Sequence, residues 1–263
     1  MKHLAVLAAA LWLAAPALAE TPSAREIMQR VDDRDDGDRS VRELEMVLID
    51  KNGGERVRRI RSWSRDDGDD VLSLLFFMEP ADVQDTGFLT FDYEGDRDDD
   101  QWLYLPALHK TKRIASSDKS GSFMGSDFSY ADLTKREVER YDWTLMKDDV
   151  EVRGEPCWQI QGIPNTPEEI EETGYTKKIV FVRKDNYMVV RGLSWLEKGG
   201  RLKYMDATKV EQIDGIWVAT ELQMTTKQGK ATEHRTVMRA ENVRFDQDLD
   251  PDLFSVRRLE KGL

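Results

Sequence analysis

Hydrophobic and polar positions along the chain change their period twice. Leu4 to Leu18 form a nearly unbroken apolar run behind Lys2 and His3, closing on Ala17-Leu18-Ala19, a small-x-small cleavage pattern. This reads as a secretory signal peptide cut after Ala19, with the mature chain starting at Glu20, rather than as a membrane span. Ser23-Ala-Arg-Glu26 is then a capping box ahead of Ile27, Met28 and Val31, which predicts a short amphipathic helix ended by DDRDDGD near Gly37. From there the period drops to two. Leu44, Met46 and Leu48 alternate, Asn52-Gly53-Gly54 supplies a turn, and Val57 to Trp63 returns as a hairpin partner.

Strand-like runs follow at Val71 to Met78, Gln101 to Leu105, Tyr141 to Leu145, Cys157 to Ile163, Thr176 to Arg183 and Tyr187 to Leu196. Three more cover Leu202 to Ile213, Ile216 to Thr226 and Thr232 to Phe245, with turn residues at Lys184-Asp-Asn186, Lys198-Gly-Gly200, Asp214-Gly215 and Gln228-Gly229. The pattern predicts about a dozen antiparallel strands with one or two short helices. Residues 20–263 are expected to form a single, mostly β domain; Pro164 to Gly174 reads either as a linker or as an acidic loop or short helix between strands.

One stretch breaks the pattern. Residues 116–133 are rich in serine and glycine, yet carry Phe123, Met124, Phe128, Tyr130 and Leu133. So many turn formers exclude a central strand, and five large apolar side chains must still avoid water. The segment is therefore expected to lie as a flap against an apolar face of the sheet, either as a plug that completes the core or as a lid over a ligand cavity. Alternating apolar positions on the strands, Leu74, Phe76, Leu103, Leu105, Trp158, Ile160, Trp195 and Trp217, are candidates to line such a cavity.

Charge narrows the class. The formal net charge of −12 argues against nucleic acid and against lasting adhesion to anionic lipid, leaving at most transient membrane contact. The single cysteine, Cys157, allows no intramolecular disulfide and sits in an apolar strand as a small buried hydrophobe. Basic residues gather at Arg56, Arg58, Arg59 and Arg61, read as cross-strand ion pairing, and at Lys110, Lys112 and Arg113, which could meet a lipid headgroup or an acidic partner.

Catalytic motifs are missing: HExxH, CxxC, G-x-S-x-G and a phosphate loop do not occur. Only His109 and His234 remain beyond the leader, and both read as surface strand residues. Asp32, Asp36, Gly37 and Glu43 match positions 1, 5, 6 and 12 of a calcium loop, but Arg34 takes a position that needs a ligand oxygen. The reading is of a non-enzyme with no cofactor and no metal.

The run WLYLPALHKTKRIASSDKSGSFMGSDFSYADL, residues 102–133, resembles the signature of LolA-like proteins, the outer-membrane lipoprotein-sorting family. Two further segments are similar to that family: Phe77 to Leu89 (FMEPADVQDTGFL) and Leu249 to Phe254 (LDPDLF). The resemblance implies a curved antiparallel sheet forming a half-open barrel, covered on its concave side by a helix and loops. It also implies a periplasmic carrier or binding protein for an acyl chain, lipid or lipoprotein. The serine-rich FMGSDF segment is similar to a branch distinct from the carriers themselves, which makes an adaptor for an RND-type exporter, with a closed core and no ligand, the alternative.

Overall fold

Ser23 caps the first helix as its capping box demands: its hydroxyl accepts from Glu26 N at 3.2 Å, and the Glu26 carboxylate accepts from Ser23 N at 2.7 Å. The helix, α1 (Ala24–Asp32), buries Ala24, Ile27 and Met28. The computed structural model describes residues 21–95, 97–135 and 137–263. The signal peptide read at residues 1–19 lies outside the described residues.

Beyond α1 the chain is almost entirely antiparallel. The first six strands are β1 (Arg39–Asp50), β2 (Glu55–Asp67), β3 (Asp70–Glu79), β4 (Gly87–Asp92), β5 (Asp100–Leu105) and β6 (Lys110–Ile114). A long crossing segment, residues 115–140, follows, and its described residues include several short 3-10 turns. Then come β7 (Tyr141–Val152), β8 (Glu155–Pro164), α2 (Pro167–Thr173), β9 (Tyr175–Arg183), β10 (Val189–Leu196), β11 (Arg201–Ile213), β12 (Ile216–Gln228), β13 (Ala231–Phe245) and α3 (Val256–Lys261). Among the described residues, all thirteen strands form one sheet in the order β6-β5-β4-β3-β2-β1-β13-β12-β11-β10-β9-β8-β7. Two meanders thus meet where β1 pairs with β13. The open edges are β6, which is short and basic, and β7, whose register against β8 is twice interrupted; both features discourage pairing with another chain.

β4 and β6 have no counterpart in the expected strands. β4 opens GFLT, buried on both faces, so it shows no alternation. β6 is KTKRI, whose charges suit an edge rather than an interior strand. The acidic Pro164 to Gly174 stretch contains a helix, α2, capped by Thr166 Oγ1 on Glu169 N at 3.2 Å.

The two faces of the sheet are covered differently. On one, α3 packs over Trp63, Leu72, Leu74, Phe76 and Leu89 together with Leu253 and Phe254. Gly87 permits this approach, because a Cβ there would sit 2.6 Å from both Leu259 and Phe76. The crossing segment lies on the other face, with α1 further along it, over Trp158, Ile160, Val180 and Val182.

That second face is the concave one. Tyr130 packs its ring 5.6 Å from Phe88 of β4, while Asp132, two residues on, accepts from the Tyr175 hydroxyl of β9 at 2.8 Å. β4 and β9 are eight places apart in the strand order, about 38 Å across a flat sheet. Two residues reach about 7 Å, so the sheet must curl around the segment. The architecture is a curved, open, half-barrel-like sheet with short helices.

Candidate functional site

The crossing segment forms a strap across the concave face, and its polar anchors land on different parts of the sheet and on α2. Phe123 N donates to Phe128 O at 2.7 Å, pinching the segment into a tight loop. The loop drives the Phe123 ring, 1% exposed, among Phe77, Phe88 and Tyr130 at centroid distances of 6.0, 5.2 and 5.7 Å. Arg58 donates to Met124 O at 2.6 Å from β2.

Asp127 is held from β12 and β13. It accepts from Thr226 at 2.6 Å and Thr236 at 2.7 Å, and lies 2.7 Å from His234 Nδ1. Lys119, with a side chain wholly out of solvent, pairs with Glu172 of α2 at 2.7 Å and with Asp99 at 3.8 Å.

Asp132 is the anchor on β9 and β11, meeting Lys203 at 3.2 Å as well as Tyr175. Burial opposes its charge, but Lys203, the Ser129 backbone and hydroxyl and the Tyr175 hydroxyl outweigh burial and hold its pKa below the ordinary 3.8. A depressed native pKa contributes stability that is complete above the unfolded value, about 3.9, and is lost as pH falls through the native one. Thermal unfolding followed downward from pH 6 is therefore expected to show a loss of stability below about pH 4 that is smaller in Asp132→Asn.

Two chambers flank this last anchor. The larger, about 450 Å³, lies between the strap at Asp132 to Lys135 and strands β1–β4, β12 and β13. Leu44, Leu75, Phe88, Leu222 and Met238 line it from the sheet, with Leu133 opposite. The smaller, about 270 Å³, is lined by Phe128, Val180, Met205 and Met224. Asp132, Thr134 and Leu222 belong to both walls, so the strap acts as a bar between them. The larger falls in the 300–1,000 Å³ range usual for ligand sites.

Solved structures share this fold. A DUF1329 family protein from Desulfovibrio piger ATCC 29098 is 31% identical with a TM-score of 0.81, covering 90% of this chain and 97% of its own. The chain belongs to the DUF1329 family. A domain from Vibrio parahaemolyticus that carries the name of an outer membrane lipoprotein-sorting protein is 34% identical, also with a TM-score of 0.81, covering 90% of this chain and 98% of its own. A LolA superfamily protein from Nitrosomonas europaea, 16% identical with a TM-score of 0.66 over 90% of this chain and 99% of its own, shares the fold. The LolA-like resemblance of the DUF1329 chain thus extends across its architecture. A family model described as an uncharacterized protein matches residues 69–261. A search of curated proteins returned no match.

Within this DUF1329 chain the sequence-predicted residues separate into distinct places. Phe123, Met124, Tyr130, Leu103 and Leu105 share one cluster in which the strap fills the space over Met46, Ile60, Phe77 and Phe88. Phe128 lines the smaller chamber. Phe76 and Leu74 point to the opposite face, beneath α3, because side chains alternate along β3 and Phe77 takes the concave side. Trp158 and Ile160 lie under α1. Trp195 carries Lys177 at 3.9 Å and Trp217 carries Arg183 at 5.3 Å, both away from the two chambers. Lys112 pairs with Asp118 and Arg113 with Asp100, while Lys110 is exposed on the β6 edge. Arg59 makes the cross-strand pairs expected of the arginine strand, to Glu45 at 3.0 Å and Glu241 at 3.5 Å.

His234, expected as a surface residue, is instead a strap anchor through Asp127. Sequence reasoning passed over Asp127, Asp132, Lys119 and Lys203. Each looks like an ordinary loop or strand polar residue, and their partners are remote along the chain.

Proposed function

We propose that the mature chain, beginning at Glu20, is a non-catalytic periplasmic binding protein that holds a lipid or acyl-bearing molecule in the larger concave chamber. The observation that carries this reading is the chamber itself, a space of about 450 Å³ with an apolar wall of Leu44, Leu75, Phe88, Leu222 and Met238 beneath a strap anchored by side chains. Each buried methylene of an acyl chain contributes about 0.8 kcal/mol, so a long chain gains enough to be retained during transfer. The name carried by the Vibrio parahaemolyticus relative, for lipoprotein sorting, supports the same class of cargo. A periplasmic setting rests on the leader and on that relative; no helix among the described residues is long and apolar enough to cross a membrane.

In this reading the core beneath Phe123 is a fixed wall, and the cargo sits beside it rather than under it. Loading and unloading would fall to an envelope partner, an RND-type exporter among them. The basic β6 edge is a weaker candidate for that contact, because Lys112 and Arg113 are already paired within the chain.

The chain purified without detergent from a periplasm should show discrete added masses by native mass spectrometry that extract as lipid. Leu222 is half-buried and lines both chambers. A carboxylate there faces the apolar body of the cargo, so Leu222→Asp should reduce the loaded fraction of the folded protein about tenfold or more, with some loss of melting temperature because Leu222 also packs against the cluster around Cys157 and Ala207. A clean apo mass for the wild type, together with no uptake of added lipid, would sink the carrier reading.

A further inference from the structure

The larger chamber is not apolar throughout, and its polar groups are arranged in rows. Register across β4, β3, β2 and β1 sets Thr90 opposite Ser73, Ser73 opposite Ser64 and Ser64 opposite Ser40. All four line the chamber, so four adjacent strands present one hydroxyl each in a continuous line, about 14 Å long at ordinary strand spacing. The neighbouring row on one side is Phe88, Leu75, Ser62 and Arg42; on the other it is Asp92, Val71 and Asp66. The wall therefore grades from leucine and phenylalanine through hydroxyls to carboxylates.

Serines on a strand ordinarily mark a solvated face, and here they do not. Ser40 and Thr90 are each 1% exposed. Thr90 Oγ1 is buried without a hydrogen-bond partner among the described residues, and so is Gln101 Oε1 on the next strand. Thr134 Oγ1, on the strap side of the same chamber, is a third such atom. An orphaned buried hydroxyl costs free energy unless something in the chamber bonds to it.

Charge decides what that something is. Burial, and then the nearby Asp36 and Asp38, push the Asp66 carboxyl up, so a further anion would meet like charge at that end. The lining carries four carboxylates, Asp36, Asp66, Asp92 and Asp132, against two cations, Arg42 and Lys135. Lys135 pairs with Asp36 at 3.6 Å, and Arg42, whose buried Nε has no hydrogen-bond partner among the described residues, lies over the Phe245 ring. The balance of the wall is therefore negative.

We propose that this hydroxyl row is a head-group subsite: the cargo carries, beside its apolar body, an uncharged head with several hydroxyl or amide groups, and molecules with the same body but an anionic head are disfavoured. The inference rests on the binding reading above and names its cargo class.

Two probes with one acyl chain test it. The delipidated full mature chain is titrated with 1-monopalmitoylglycerol and with palmitate, read by native mass spectrometry and by competition for a fluorescent acyl probe. The glycerol ester is expected to bind about tenfold tighter. Thr90→Val and Ser73→Ala together should reduce glycerol-ester affinity about tenfold and leave palmitate unchanged. Thr90→Val alone should keep or raise the melting temperature, since it removes an orphaned hydroxyl, whereas a merely structural Thr90 would lose stability. Equal or tighter palmitate binding, or an unchanged preference in the double variant, would overturn the head-group assignment alone. Binding of neither probe, with no lipid in the protein as purified, would overturn the binding reading as well.

Discussion

Phe123→Ala is expected to lower the unfolding free energy by about 3–5 kcal/mol, the range for emptying a phenylalanine site in a packed core. The ring is 1% exposed and touches aromatic side chains of β3, β4 and the strap itself, so no neighbour can collapse into the space without breaking another ring contact. Urea denaturation with an unchanged slope would report the loss, and ligand uptake should fall only as far as the folded fraction falls. Phe128→Ala is the contrast: its side chain lines the smaller chamber, so uptake should change more than stability. A Phe123→Ala protein as stable as the wild type would mean that the strap rides on the sheet as a loosely seated lid.

Lys119→Met is expected to cost roughly 3–5 kcal/mol for a different reason. Its ammonium group is wholly buried and is shared by Glu172 and Asp99, so methionine removes a cation from both carboxylates and leaves Arg140 on the Glu172 side. Adding Glu172→Leu to the same protein should recover most of the loss, because a buried pair is worth little against an apolar replacement while half a pair is expensive. Thermal and urea unfolding of the single and double variants form the cycle that checks it. A double variant no better than Lys119→Met alone would show that Arg140, 3.7 Å from Glu172, needs that carboxylate more than Lys119 does.

Much of the sheet was legible because alternation and turn residues coincide in β7–β13, where consecutive strands pair. β4 was not, since Phe88 at 2% and Leu89 at 0% exposure bury opposite faces of one strand and erase the period-two signal. Alternation also assigns Phe76 and Phe77 to opposite faces without saying which face is concave. Curvature is a property of the whole sheet, and no residue of β3 carries it.

The hydroxyl row illustrates the same limit. Ser62 and Ser64 flank Trp63 in an ordinary half-buried pattern, and the natural reading places tryptophan inward and serine in water. Both faces of β2 are covered, so the serines look into a chamber and Trp63 into a second core. The strap's apolar residues announced themselves as misplaced in a loop. Its anchors did not, because Asp132 and Lys203 are 71 residues apart, and Asp127 and His234 are 107 apart.

The two meanders have a consequence for how the chain reaches its structure. Within β1–β6 and within β7–β13, every paired strand follows its neighbour directly, so each half can form from contacts close in sequence. The seam between them is the opposite case, since Val47 faces Val237 and the chain between must be gathered before the first rung pairs. Assembly is thus a zipper with a late clasp. The halves are expected to take shape first and separately, with the central ladder closing over most of the polypeptide afterwards and the strap settling into the trough only once that trough exists.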